Sequence, residues 1–281
     1  MRFGLNALLY TVSFSADDLD LIARVADIGY DGIELPFIDL DSLDPAPTRR
    51  ALEAAGMEAT GCATLVPGAN LVSGEAAERA AGLARLKRCV DIAAEMGIEA
   101  VAGPLYAPVG FLTGSGRTDD EWQRAIDGLR AAAEYAGGAG VVLAIEPLNR
   151  FETYFLNTAA DALALVEAVD HPALSVQLDT FHANIEEKDT PAAIRLLGGR
   201  LGHFHACEND RGQPGTGQVP WDDVFAALSD VGYDGWVVIE TFARGIRDLC
   251  AAAFIWRDIY DSADGLARDG LAFLKQKAAA A

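Results

Sequence analysis

The sequence predicts an α/β protein, a single (β/α)8 barrel, and three observations lead there. Eight short runs are apolar and rich in branched residues, alanine-rich segments of helical period lie between them, and a glycine recurs where helix gives way to strand. Strands alternating with helices at this spacing make parallel βα units, and eight such units close a barrel.

The first run, Phe3 to Tyr10, follows directly on Met1-Arg2 and reads as a strand. Ser15-Ala16-Asp17-Asp18 then offers a helix start, and Asp18 to Ile28 places Leu21, Ile22, Val25 and Ile28 on one helical face. Gly32 to Phe37, Glu58 to Leu65 and Glu99 to Leu105 are the next three strands. Ala80 to Met96 is a helix that repeats Leu83, Leu86, Val90, Ile92 and Ala93 near the 3.6-residue period. Thr118-Asp119-Asp120-Glu121 has the form of a capping box, in which the fourth residue reaches back to the cap.

The last four runs are Val141 to Glu146, Leu174 to Asp179, Leu201 to His205 and Trp236 to Glu240. A weak internal echo links Asp27-Ile28-Gly29-Tyr30-Asp31-Gly32 with Asp230-Val231-Gly232-Tyr233-Asp234-Gly235, and shorter variants stand at Met96-Gly97-Ile98 and Ala139-Gly140-Val141. In each, the glycine permits a left-handed helix cap and a tight turn into the next strand. No Pro/Gly/Ser linker or charge block divides residues 1–281, so one domain is expected throughout. Asp248 to Tyr260 reads as the last long helical stretch. It opens a C-terminal helical segment at about 248–277, packed on the barrel or at a subunit interface.

Composition narrows the function. With 51% apolar residues the chain can bury a large core, and its formal charge of −20, from 42 acidic against 22 basic residues, repels phosphate backbones and anionic lipid. Nucleic acid and membrane surfaces are therefore not expected partners. Cys62, Cys89, Cys207 and Cys250 form no Cys-x-x-Cys pair, which suggests reduced thiols in the cytoplasm. No stretch approaches the ~20 apolar residues that cross a membrane.

Glu146, Asp179, His205 and Glu240 each end one of the last four runs, at intervals of 33, 26 and 35 residues. Parallel barrel strands open their carboxyl ends onto one face, so these side chains should converge there. One such residue alone would mean little; four together point to a metal. Three carboxylates and an imidazole suit Mn²⁺, Co²⁺ or Mg²⁺ better than a structural zinc, and they leave coordination positions for a substrate with adjacent carbonyl and hydroxyl oxygens. His203 shares the strand face of His205 and reads as an inward layer residue or a support. Glu34, at the end of the second strand, reads as a supporting hydrogen-bond partner, Cys62 as a pocket residue and His171 as a surface residue.

The segment Glu146-Pro147-Leu148-Asn149-Arg150-Phe151-Glu152-Thr153, then Leu178-Asp179-Thr180-Phe181-His182-Ala183-Asn184, His205-Ala206-Cys207-Glu208-Asn209-Asp210-Arg211-Gly212 and Val238-Ile239-Glu240-Thr241-Phe242 carry more. In order and spacing this set resembles the ketose 3-epimerases, the D-tagatose, D-allulose (D-psicose) and L-ribulose 3-epimerase group of the xylose-isomerase-like barrels. The resemblance spans roughly residues 1–265 and is strongest over 141–242. It implies that Glu146, Asp179, His205 and Glu240 bind a divalent metal, with Mn²⁺ ahead of Co²⁺ and Mg²⁺. It further implies that Glu146 and Glu240 are the acid/base pair, that Glu152, His182 and Arg211 hold the ketose oxygens, and that the chain forms a homodimer or homotetramer.

Inverting C3 requires a base on one face of the carbon and an acid on the other, which two glutamates supply. The chain departs from many members at Tyr10, where they carry tryptophan. The Val66–Gly74 and Ala107–Gly116 loops, expected to contact distal hydroxyls, single out no one sugar. Rival readings are an aldose–ketose isomerase, an inosose dehydratase or isomerase, a metal-dependent endonuclease and a silent sugar-binding protein. Glu152, His182 and Arg211 favour the epimerase over the first two; four histidines and a strongly negative charge disfavour the endonuclease. Both candidate acid/base glutamates are present, which disfavours a silent binder.

Overall fold

The computed structural model describes residues 1–243 and 246–281. Eight parallel strands close a barrel in sequence order: β1 (Arg2–Asn6), β2 (Gly32–Phe37), β3 (Glu58–Ala63), β4 (Ala100–Gly103), β5 (Val142–Ile145), β6 (Leu174–Asp179), β7 (Leu201–His205) and β8 (Trp236–Ile239). The ring closes where Arg2 to Leu5 pair with Trp236 to Ile239. The expected strands agree with these to within two residues, except the first. β1 stops at Asn6 because its side chain accepts the Leu8 N–H and caps a 3₁₀ turn over Ala7–Leu9.

Around the barrel run α1 (Asp20–Ile28), α2 (Pro45–Ala55), α3 (Ala76–Met96), α4 (Asp119–Gly138), α5 (Ala159–Val169), the short α6 (Thr180–Glu186), α7 (Thr190–Leu197), α8 (Trp221–Asp230), α9 (Arg247–Ala252) and α10 (Ala263–Ala280). Thr118 caps α4 with the reciprocal bonds expected from its sequence: it accepts the Glu121 N–H while the Glu121 carboxylate accepts the Thr118 N–H. Gly29, Gly97, Gly140 and Gly232 all take positive φ at or just beyond helix ends, as the repeated glycines require.

The C-terminal reading needs correction. No helix runs from Asp248 to Tyr260: α9 ends at Ala252, Phe254 turns the chain at φ 55, and residues 253–262 are irregular. The last helix is α10, capped by Ser262, whose Oγ accepts the Gly265 N–H at 3.0 Å. It buries Leu266, Ala267, Leu271 and Leu274, and Tyr30 donates to the Ala267 carbonyl at 2.7 Å. The stretch 248–260 does not pack as one helix, and Phe254 and Trp256 are 57% and 75% exposed.

The strands show which way each face points. Phe3, Leu5, Ile33, Leu35, Val101, Leu143, Ile145, Val176, Leu178, Phe204, Val237 and Ile239 are buried and belong to the continuous apolar core that includes the helices. Their sequence alternates face into the barrel. Trp236 fills the bottom, where Gly4 and Gly32 leave it room: a Cβ on Gly32 would lie 2.4 Å from the indole. Arg2 closes that end, stacked 4.5 Å over the Trp236 ring and paired with Glu58. Above Trp236 the interior turns polar, with Asn6, Glu34, Thr60, Gln177 and His203 all fully or nearly fully buried. Apolar contacts thus lie between strands and helices, leaving the upper lumen free for chemistry.

Gly103, the last residue of β4, holds the next strand in place. Its carbonyl accepts the Glu146 N–H at 2.9 Å, its φ is +129, and an added Cβ would lie 2.2 Å from the Ala63 carbonyl oxygen. Replacing Gly103 by Ala combines a disfavoured backbone with a clash against main chain. The expected result is a loss of about 2 kcal/mol or more in unfolding free energy, read from urea denaturation; a loss below about 0.5 kcal/mol would show that the β3–β4 junction relaxes freely.

Candidate active site

The four strand-end residues arrive together. Asp179 and His205 are the last residues of β6 and β7, Glu146 and Glu240 follow β5 and β8 directly, and all four are buried. His205 Nδ1 is 3.4 Å from Glu240 Oε2 and 4.0 Å from Asp179 Oδ2. Donor atoms of Asp179, His205, Cys207 and Glu240 lie within 4.8 Å of one another, and those of Glu146, Asp179 and His182 form a second such group. Asp179 joins the two. Glu146 Oε1 is buried with no hydrogen-bond partner among the described residues, 3.9 Å from His182 Nε2.

Three carboxylates this close need positive charge, and Arg211 brings it. Its Nη1 lies 2.5 Å from Asp179 Oδ2, 2.8 Å from Glu240 Oε2 and 3.0 Å from Cys207 Sγ. The guanidinium is sandwiched between the rings of Phe181 at 4.1 Å and Phe242 at 5.1 Å, which shields the pairs from water. Burial, reinforced by the charges of Asp179 and Glu240, drives the Glu146 carboxyl well above its ordinary value, although His205 and Arg211 oppose the shift. Burial acts on Glu240 in the same sense, but there His205 and Arg211 outweigh it and hold the group below its ordinary value. The two glutamates therefore differ in proton affinity although their positions at the strand ends correspond.

The candidate substrate residues flank this group. His182 accepts the Asn149 main-chain N–H on Nδ1 at 3.1 Å, and its Nε2 lies 3.2 Å from Arg211 Nη2 and 3.9 Å from both Glu146 Oε1 and Asp179 Oδ2. Burial lowers its pKa to about 3 and keeps it neutral. Glu152 accepts from Asn149 Nδ2 at 2.8 Å, and burial raises its carboxyl above the ordinary value. A cavity of about 330 Å³ is lined by Glu146, Glu152, His182, Arg211 and Glu240. Leu8, Ile38, Phe242 and Leu249 are among the apolar residues that complete it.

Several sequence expectations are refined. Cys62 lines the cavity, with Sγ 3.9 Å from Glu240 Oε1, and burial pushes its thiol well up, which opposes a nucleophilic role. Val109 brings the Ala107–Gly116 loop to the cavity wall; from the region before α3 it is Thr64, preceding the Val66–Gly74 loop, that reaches it. Tyr10 turns away, donating to Asp264 of α10 at 2.9 Å. His171 is partly exposed, as expected. Glu34 is not at a strand end: it is the third residue of β2, pointing into the lumen, with His203 Nε2 2.7 Å from its Oε2.

Glu208 escaped the sequence reading. Fully buried, it accepts from the main-chain N–H groups of Asn209, Gly215 and Val219 at 3.1, 2.8 and 3.0 Å, and from Trp221 Nε1 at 3.0 Å. These bonds tie the loop after β7 to the start of α8, and that loop presents Arg211 at φ 66. The signal was its place three residues after His205, overshadowed by the ligand itself. Glu208→Gln turns one acceptor oxygen into a donor facing other donors. Unfolding free energy should fall by about 1–3 kcal/mol in urea denaturation; an unchanged value would show that those N–H groups find other acceptors.

The xylose isomerase-like TIM barrel family model matches residues 22–277. A probable ketose 3-epimerase of Synechocystis sp. is 36% identical, with 98% of this chain and 96% of the relative covered. A D-psicose 3-epimerase of Agrobacterium fabrum is 35% identical, covering 97% and 98%. The crystal structure of D-allulose 3-epimerase from Methylomonas sp. in complex with D-allulose superposes with a TM-score of 0.94 at 30% identity, over 99% of this chain and 97% of that one.

Proposed function

The chain belongs to the ketose 3-epimerases of the xylose isomerase-like TIM barrel family, and from that membership we propose that it inverts C3 of a free ketose by removing and returning a proton through a cis-enediolate. The pairs fructose/allulose, tagatose/sorbose and ribulose/xylulose are candidate substrates. One observation carries the reading: Glu146 and Glu240 line the same cavity from β5 and β8, three strands apart in a ring of eight. Two carboxylates that approach a bound carbon from different sides meet the stereochemical need of an inversion.

Glu146, Asp179, His205 and Glu240 would hold a divalent ion of the Mn²⁺, Co²⁺ or Mg²⁺ type. The fit rests on three hard oxygen donors and one imidazole, with Glu146 Oε1 buried and unpartnered beside them. When bound, such an ion polarises the ketose carbonyl and stabilises negative charge on adjacent oxygens. The chain's own groups do the rest. One glutamate takes the C3 proton and the other supplies a proton to the opposite face. Arg211, fixed between two aromatic rings, donates to the ketose oxygens. His182 turns its Nε2 to the same end of the sugar, and Glu152 accepts from a hydroxyl. The apolar wall keeps water from the reacting carbon. The homodimer or homotetramer that the resemblance implies finds support in the exposed Phe151, Phe254 and Trp256.

Turnover of a ketose panel in D₂O should place deuterium at C3 of both product and recovered substrate, detected by NMR. Label at C1 would assign an aldose–ketose isomerase instead. Glu146→Gln and Glu240→Gln, each assayed with metal occupancy measured on the same sample, should lose at least ~10²-fold in turnover while still binding sugar. Metal-loaded variants that epimerise near the wild-type rate would exclude this pair.

A further inference from the structure

We infer that Glu34 is the positioning residue that sets which nitrogen of His205 faces the cluster, and so sets the affinity of the site for its ion. The inference rests on the metal reading above. Glu34 lies on β2, across the barrel from β7, fully buried in the lumen. Its Oε1 is 2.7 Å from His205 Nε2 and accepts from Asn6 Nδ2 at 2.8 Å, while Oε2 accepts from Thr60 Oγ1 at 2.9 Å and is 2.7 Å from His203 Nε2.

The direction of these bonds follows from their neighbours. The Asn6 amide is oriented unambiguously, because its Oδ1 accepts the Leu8 N–H at 2.9 Å and only its Nδ2 remains for Glu34. Glu34 is thus used as an acceptor, and the bond to His205 must be completed by a proton on Nε2. In the neutral ring that a metal ligand requires, the lone pair is then on Nδ1, the nitrogen that faces Glu240 and Asp179 and lies 3.0 Å from Gln177 Nε2. A carboxylate behind a ligating imidazole fixes its tautomer and rotation and strengthens it as a donor. The same Asn6 amide also reaches Glu240 Oε1 at 3.3 Å, so the buried pair of Asn6 on β1 and Glu34 on β2 restrains two of the four proposed ligands.

Mn²⁺ affinity, measured by competition with a chelator on the full chain, tests this, with the EPR spectrum of the bound ion recorded for each variant. Glu34→Gln should raise the Kd about 10- to 100-fold and alter the Mn²⁺ spectrum. His205→Ala should weaken binding at least as much. Thr60→Val removes a donor from the same carboxylate without touching His205, and should leave both readouts close to wild type. Wild-type affinity in Glu34→Gln, or equal weakening in Thr60→Val, overturns the inference while the metal reading stands. Wild-type chain that binds no Mn²⁺, or His205→Ala that binds as tightly as wild type, overturns both. Should Glu34→Gln not fold, ¹⁵N NMR of the Mg²⁺-loaded wild type decides: a proton on His205 Nε2 supports the inference, and a proton on Nδ1 overturns it.

Discussion

The upper lumen of the barrel buries Glu146 and Glu240, each within reach of Asp179, and much of the structure serves to make that arrangement tolerable. Charges removed from water are costly unless paired and hydrogen-bonded. Arg211 meets Asp179 and Glu240 directly, and His205 adds a ring poised between Glu34 and Glu240. Glu146 Oε1 has no partner among the described residues. A site whose acidic groups are only partly balanced is prepared to accept positive charge, which is the property a cation-assisted reaction requires.

Stability for this comes from elsewhere in the fold. Leu5, Ile33, Val176, Phe204 and Ile239 face outward to the helices while Asn6, Glu34, Thr60, Gln177 and His203 face inward, so the core that holds the barrel shut is largely separate from the lumen. The bottom is sealed by Trp236 against Gly4 and Gly32, far from the carboxylates. The loop after β7 is secured through the four hydrogen bonds of Glu208, which lets Arg211 hold an uncommon positive φ without the loop being rebuilt around it. Positioning and chemistry are thus assigned to different residues only a few places apart in sequence.

What the sequence disclosed follows the same division. The eight strands were legible because apolar runs, helical periods and Gly29-, Gly97- and Gly232-type caps are local signals. The convergence of Glu146, Asp179, His205 and Glu240 was legible because parallel barrels put all strand ends on one face. The region from 248 to 260 misled because apolar periodicity cannot distinguish a packed helix from an irregular segment with Phe254 and Trp256 exposed. Glu34 was assigned a support role but misplaced along its strand. Its partners on β1, β3 and β7 lie as far as 171 residues away, a separation no local pattern encodes. Glu208 was hidden for the complementary reason: its bonds are mostly to main-chain N–H groups, which any sequence offers.

The choice of ketose belongs to the part that stayed illegible, and the cavity explains why. Its polar lining gathers Glu146, Glu152, His182, Arg211 and Glu240, whereas Leu8, Ile38, Phe242 and Leu249 form an apolar cluster in the rest of the lining. A pocket discriminates strongly when it must leave its own buried polar groups unpaired with the wrong substrate, and only weakly when it presents apolar surface to a hydroxyl. Under the proposed chemistry, the carbons near the reacting centre meet demanding partners and the distal ones meet mostly hydrocarbon, with Thr64 a polar exception. Strict recognition is therefore confined to the atoms that take part in the proton transfer. Under that chemistry the rest of the sugar would be held chiefly by shape, which depends on loops such as that bearing Val109 rather than on any motif readable along the chain.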